Sequence, residues 1–256
     1  MKVTKALERW SPFVLLAIVL LLWQAIVAGF GIAEFIFPSP WQIAQQFIEF
    51  KAPLIEAAWK TFWVTMLGFG LSIFVGVLLG FLVGSSRLVY TALYPLLVAF
   101  NAVPKAAIVP ILVVWFGIGL GPGILTAFLI SFFPITVNIA TGLATMEPEL
   151  EDVLRVLGAK RWDVLVKVGL PRSMPYFYGS LKIAITLAFV GTVLAEMTAG
   201  DSGIGYLMQS AASQQRMPLA FAGLVTIGAM AMAMYELFSW IEKRTTGWAH
   251  RGSQAA

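Results

Sequence analysis

The stretch "TFWVTMLGFGLSIFVGVLLGFLVG", residues 61–84, contains no charged side chain. As an α-helix it would be about 36 Å long, enough to cross the roughly 30 Å of hydrocarbon in a bilayer. Its small residues are ordered: Gly68, Ser72, Gly76, Gly80 and Gly84 recur at every fourth position. That spacing makes one shallow groove along a helix, into which a second helix can settle, so these five are read as helix-packing residues. Working outward, apolar runs at about 11–31, 57–85, 89–116, 122–146, 171–199 and 217–243 predict an all-α polytopic membrane protein with about six transmembrane helices.

The composition agrees with a lipid solvent. Of 256 residues, 59% are hydrophobic and only 12% charged, with a mean hydropathy of +0.86. Cysteine is absent and the lone His250 lies in a polar tail, which excludes a disulfide framework and thiolate metal ligation and leaves an intramembrane enzyme without a nucleophile–base pair. The net charge of +4 comes without a basic soluble face, so it is read as loop charge and not as a nucleic-acid surface. The run Phe13–Phe30 is longer than the apolar core of a secretory signal and is expected to be retained as a first helix. "FPSPWQIAQQFIEFKAPLIEAAW", residues 37–59, is amphipathic and is expected to lie along the interface.

The cations sort to one side. Lys2, Lys5, Arg9, Arg87, Arg155, Lys160, Arg161, Lys167, Arg172, Lys243, Arg244 and Arg251 share a side if the chain crosses six times. Lys51, Lys60 and Arg216 fall on the other, with Glu34, Glu49, Glu56, Glu196 and Asp201. Because basic residues are retained in the cytoplasm, both termini and the loop at about 147–170 are expected there.

That loop is long for a compact polytopic protein. Glu147, Pro148 and Glu149 supply helix-start chemistry, and Leu150, Val153, Leu154 and Leu157 form an apolar stripe at helical spacing. Gly158 then permits a sharp break before a second amphipathic turn, "RWDVLVKV", residues 161–168. A folded cytoplasmic knob of this kind suits docking to a soluble partner better than resting on lipid.

"DVLRVLGAKRWDVLVKVGLP", residues 152–171, resembles the cytoplasmic Glu-Ala-Ala loop of binding-protein-dependent ATP-binding cassette (ABC) importers. Aligned on Gly158, Leu170 and Pro171 match the motif, and Asp152, Val153 and Leu154 stand at the Glu-Ala-Ala positions, the acid shortened and the small residues enlarged. "AVPKAAIVPILVVWFGIGLG" (102–121), "SFFPITVNIATGL" (131–143) and "VLAEMTAGDSGIGYLM" (193–208) look like permeases of the nitrate, sulfonate and taurine branch. The resemblance implies a type I importer transmembrane domain, with residues 1–56 as an N-terminal helix plus interfacial segment and 57–256 as the permease core. It implies two copies of this permease in a bacterial inner membrane, two cytoplasmic ATPase subunits and a periplasmic or extracellular solute-binding protein. The chain has no phosphate loop and is expected to bind no cofactor itself, ATP and Mg belonging to the partner subunits.

The resemblance places the coupling contact on Asp152, Arg155, Gly158, Ala159, Lys160, Arg161, Trp162, Leu170 and Pro171. Candidates for the translocation pathway or gate are Pro104, Lys105, Asn138 and Glu196, polar or helix-breaking groups within spans. Lys105 reads either as a cationic pore residue favouring anions such as nitrate, a sulfonate, taurine or an aromatic acid, or as the partner of Glu196 in an ion pair. Asn138 reads as a pathway group or as a hydrogen bond between helices. "GDSGIGYL", residues 200–207, reads as a turn-rich outer segment, part of the outer gate or of the platform for the binding protein. An ion-coupled secondary transporter is the alternative, disfavoured because no internal repeat is apparent.

Overall fold

The computed structural model describes residues 2–144, 153, 154 and 156–246. Among them no strand occurs, and the order is α1 (Lys2–Phe30), α2 (Pro40–Glu49), α3 (Lys51–Gly84), α4 (Arg87–Ala102), α5 (Val109–Phe116), α6 (Leu120–Ala144), α7 (Leu170–Ala199), α8 (Gly203–Ser213) and α9 (Met217–Thr245). Five helices are long and apolar enough to span a bilayer, and the pair Arg87–Ala102 with Lys105–Phe116 makes up to six.

That pair bends by 73°, so the apolar run 89–116 is not one continuous helix. Val103 is extended, at φ −64° and ψ 128°, because the ring of Pro104 disfavours helical backbone in the residue before it. A 3₁₀ turn, Lys105–Ile108, then leads into α5.

The segment read as interfacial divides in two. Ser39 opens α2 with a capping box: its hydroxyl accepts from the Gln42 amide at 3.3 Å, while the Gln42 side chain accepts from the Ser39 amide at 2.8 Å. Pro40 occupies the first turn, where its missing N–H is harmless. The rest joins α3, which begins at Lys51 and not near residue 57.

The small-residue stripe of α3 lies against α6, and the two helices run parallel in one register. A Cβ on Gly68 would stand 2.6 Å from that of Ala127; on Gly76, 2.9 Å from Ile135; on Gly80, 2.7 Å from Ile139; and on Gly84, 2.9 Å from Leu143. Ser72 meets Ser131 at 2.7 Å, 59 positions later, as do all four glycines their partners. Antiparallel α7 closes the core on the other flank of α6, with Gly191 against Ala127 and Ser173 against Gly142. Phe69, Ile135, Ile139, Leu181, Ile185 and Phe189 fill the space between these three helices. A second cluster, built from Ile43, Leu54, Ala211, Leu219 and Ala222, joins α2, α3, α8 and α9. Most of α1 beyond Trp10 is exposed; Trp23 holds it, with its ring 5.2 Å from Phe37 and 6.3 Å from Phe221.

The architecture therefore has two ends. The beginnings of α3 and α9, the end of α7 and all of α8 gather at one; the ends of α3, α6 and α9 and the segment leading into α7 gather at the other.

Candidate functional site

The segment before α7 is a helix stop followed by a restart. Leu157 N–H donates to Val153 O at 3.2 Å and Ala159 N–H to Leu154 O at 3.0 Å, with Gly158 between them at φ +88°. The Ala159 bond, which reaches back five residues and closes over a left-handed glycine, is a Schellman-type helix end, and it satisfies a carbonyl that the helix can no longer serve. A Cβ on Gly158 would meet nothing within 4 Å, so the backbone angle alone selects glycine.

Lys160 N–H then donates to Asp163 Oδ2 at 3.3 Å and Val164 N–H to Lys160 O at 3.1 Å, which restarts the helix at Arg161. Lys167 pairs with Asp163 at 3.0 Å, and the hydrogen bond and charge of Lys167 hold the Asp163 carboxyl below its usual range. A π-helical turn, Leu165–Gly169, passes into α7, where Leu170 and Pro171 occupy the first turn. Val164 is buried beneath this segment, whereas Val153, Val156 and Leu157 are exposed, Val156 at 88%. Of the nine residues assigned to the coupling contact, the backbones of Gly158, Ala159, Lys160, Arg161 and Trp162 form this stop and restart; Asp152 and Arg155 lie outside the described residues.

The pathway candidates do not converge on one point. Lys105 sits at the α4 bend beside Pro104; its ammonium donates to the backbone carbonyl of Asn101 and, at 2.9 Å, to Asn101 Oδ1, and lies 5.9 Å from the centre of the Phe100 ring. Asn138 Nδ2 donates to Pro134 O at 2.8 Å, within its own helix.

Glu196 is buried elsewhere, and its partners are not cations. Thr61 Oγ1 donates to the carboxylate at 2.9 Å, and Gly205 N–H donates to Oε2 at 2.8 Å. Thr61 Oγ1 in turn accepts from Ile204 N–H at 2.8 Å, and Thr65, one turn on, bonds Thr192 at 2.9 Å. The segment "GDSGIGYL" is therefore not a turn beyond residue 202: it opens α8. Gly203 takes φ +92°, and any side chain there would collide with the Glu196 carboxylate, so its glycine serves close approach as well as backbone angle.

Two charges of the span-length helices, outside the sequence-derived set, pair with each other. Lys182 Nζ of α7 meets Glu242 Oε2 of α9 at 2.6 Å and lies 5.9 Å from the centre of the Tyr235 ring. Lys182 follows Leu181 and precedes Ile183 inside an apolar run; a lysine there was the available signal, since an intramembrane charge calls for a named partner. At the Glu196 end of the molecule, a cleft of about 350 Å³ opens between α3, α8 and the start of α9, lined among others by Glu56, Lys60, Asp201, Tyr206 and Arg216. Among the described residues no cluster of His, Asp or Glu suited to a metal ion occurs.

A bundle of span-length apolar helices joined by polar contacts, with a charged segment at one end, defines a polytopic helical membrane protein. The chain belongs to the family of binding-protein-dependent transport system inner membrane components, whose sequence profile matches residues 72–247. It is thus a multi-pass inner-membrane permease subunit of an ABC importer and not an enzyme. The riboflavin transport system permease protein RibX of Chloroflexus aurantiacus is 32% identical over 237 residues, covering 92% of this chain and 88% of that protein. The putative aliphatic sulfonates transport permease protein SsuC of Bacillus subtilis is 28% identical over 243 residues, covering 93% and 88%. An inward-facing structure of the MetNI methionine ABC transporter shares the fold at a TM-score of 0.68 and 17% identity, over 77% of this chain and 98% of that one.

Proposed function

We propose that two copies of this chain form the translocation pathway for a small anionic solute, delivered by a binding protein and driven by two separate ATPase subunits that grip the segment around Gly158. The observation that carries the coupling half is the Schellman-type stop: it presents Val153, Val156 and Leu157 to solvent at the end of the molecule where α7 begins. Exposed apolar side chains on a charged, helical segment suit a protein cleft. The segment and both termini are cytoplasmic in this reading, following the lysine and arginine bias.

The anionic solute rests on Lys105. Its ammonium stands at a broken helix, held by Asn101 and not neutralised by a carboxylate among the described residues, and its charge would favour anions in a pathway through this bend. The relative named for aliphatic sulfonates carries such a solute class in its name; the relative named for riboflavin does not. The test is solute-stimulated ATPase and uptake in proteoliposomes holding the permease, its ATPase and its binding protein. Gly158→Arg forces a left-handed angle on an L residue, at about 1–2 kcal/mol, and adds bulk at the protrusion. Stimulation should fall to the basal rate while the protein still extracts and assembles. Full stimulation in the variant would refute the coupling role, and uptake that follows an ion gradient without ATP would refute the importer.

A further inference from the structure

Helix α8 is not capped by its own chain neighbours. Ser202, at its N-cap position, makes no capping bond, and its hydroxyl instead donates to Asp201 at 2.9 Å. The second and third amides of the helix, of Ile204 and Gly205, are served by Thr61 of α3 and Glu196 of α7. Thr61 links the two bonds, giving its proton to the carboxylate and accepting the Ile204 N–H on the same oxygen. A carboxylate is favourable at the positive end of a helix dipole, so this is an N-cap delivered from other helices.

The carrier of that carboxylate has a second distinction. Glu196 lies in the last turn of α7, a 30-residue helix about 45 Å long. The other end of α7 continues directly from the stop-and-restart segment at Gly158. Wall residues of the 350 Å³ cleft, among them Tyr206 and Ser210, belong to α8.

We propose that Glu196 is a positioning residue for transport, handing displacement of α7 to α8 through its cap on the Ile204–Gly205 turn, so that the cleft wall follows the coupling segment. The inference rests on the importer reading. Glu196→Gln leaves one acceptor oxygen for two donors; Thr61→Val removes the relay, and Thr61→Ser keeps it.

The experiment uses the assembled complex in lipid nanodiscs. This chain has no native cysteine, so Ala211→Cys, buried in α8 at 3% exposure, and Leu157→Cys, at 77% in the free chain and within the proposed ATPase contact, are the permease's single thiols for a maleimide. Labelling is compared between nucleotide-free and ATP-vanadate-trapped complexes. The expected result is a labelling rate that differs between the two states at both positions, by roughly tenfold at 211, with the difference at 211 alone abolished by Glu196→Gln or Thr61→Val and kept by Thr61→Ser. A merely structural cap would leave the difference at 211 in place in every variant that assembles, and that result overturns the proposal. So does a rate at 211 that ignores nucleotide in the unmutated background while 157 responds, or failure of both Glu196→Gln and Thr61→Val to assemble. If neither position nor uptake responds to ATP, the importer reading itself falls, and this inference with it.

Discussion

Lys182 and Glu242 illustrate what single residues decide in this bundle. Their 2.6 Å pair joins α7 to α9 with side chains 19% and 10% exposed, so removing one partner strands a charge in the span. Glu242→Leu or Lys182→Met should each destabilise the protein by about 3–5 kcal/mol, whereas the double replacement should recover most of that. Thermal unfolding in detergent measures the cycle, and a double variant whose loss equals the sum of the two single losses would show that the pair contributes nothing. Glu196 is the contrasting case: three of its satisfied contacts come from hydroxyl and amide donors, and no cation is required. From the sequence, Lys105 with Glu196 was one possible pair, while Lys182, Glu236 and Glu242, also in apolar runs, left other pairings open. Proximity along the membrane normal does not specify which helices touch, and that is why Lys105 is found on Asn101 and Glu196 on Thr61 and Gly205.

Pairs of helices depend on register. The α3 stripe was legible because a period of four small residues has one mechanical use, a close approach; its partner was not, because α6 offers Ala127, Ser131, Ile135, Ile139 and Leu143, an ordinary apolar face. Gly80 and Gly70 separate packing from helix propensity within α3. A Cβ at Gly80 would press Ile139 and the Thr136 carbonyl at 2.7 and 2.9 Å, while one at Gly70 meets nothing within 4 Å. Gly80→Leu should therefore destabilise the protein by about 1–3 kcal/mol and Gly70→Leu should be neutral or stabilising, read from unfolding temperature in detergent. Equal effects would mean that the stripe is not a packing surface. The misread element was α8. Gly203 does take a turn-like left-handed angle, at φ +92°, but it and Gly205 are also small because Glu196 and the Val193 carbonyl stand against them, a tertiary cause that local sequence cannot display. The bend between α4 and α5 was half visible, since Pro104 and Pro110 mark an interruption without giving its 73°.

At the scale of the whole molecule, the proposed coupling requires the arrangement to turn a displacement at one end into a change at the other. The sequence supplies direction through charge. Lys160, Lys167, Arg172, Lys243 and Arg244 cluster at the end where α7 begins and α9 finishes, with Arg87 at the start of α4. The opposite end mixes Glu56, Lys60, Asp201 and Arg216 around the cleft. In the proposed orientation, positive-inside retention would put the first end in the cytoplasm and leave the cleft on the side from which a binding protein would deliver solute. The absence of cysteine makes this directly testable, because each introduced thiol is the only one in the chain. Leu157→Cys, 77% exposed beside the helix stop, should react with a membrane-impermeant maleimide in inside-out vesicles and be protected in right-side-out ones. Gln214→Cys, exposed at the end of α8 on the rim of the cleft, should show the reverse. Reaction of both from the same side would break the two-ended architecture as a membrane topology. Reaction of each from the unexpected side would keep the architecture but invert it, leaving the protrusion at Gly158 with no cytoplasmic ATPase to meet.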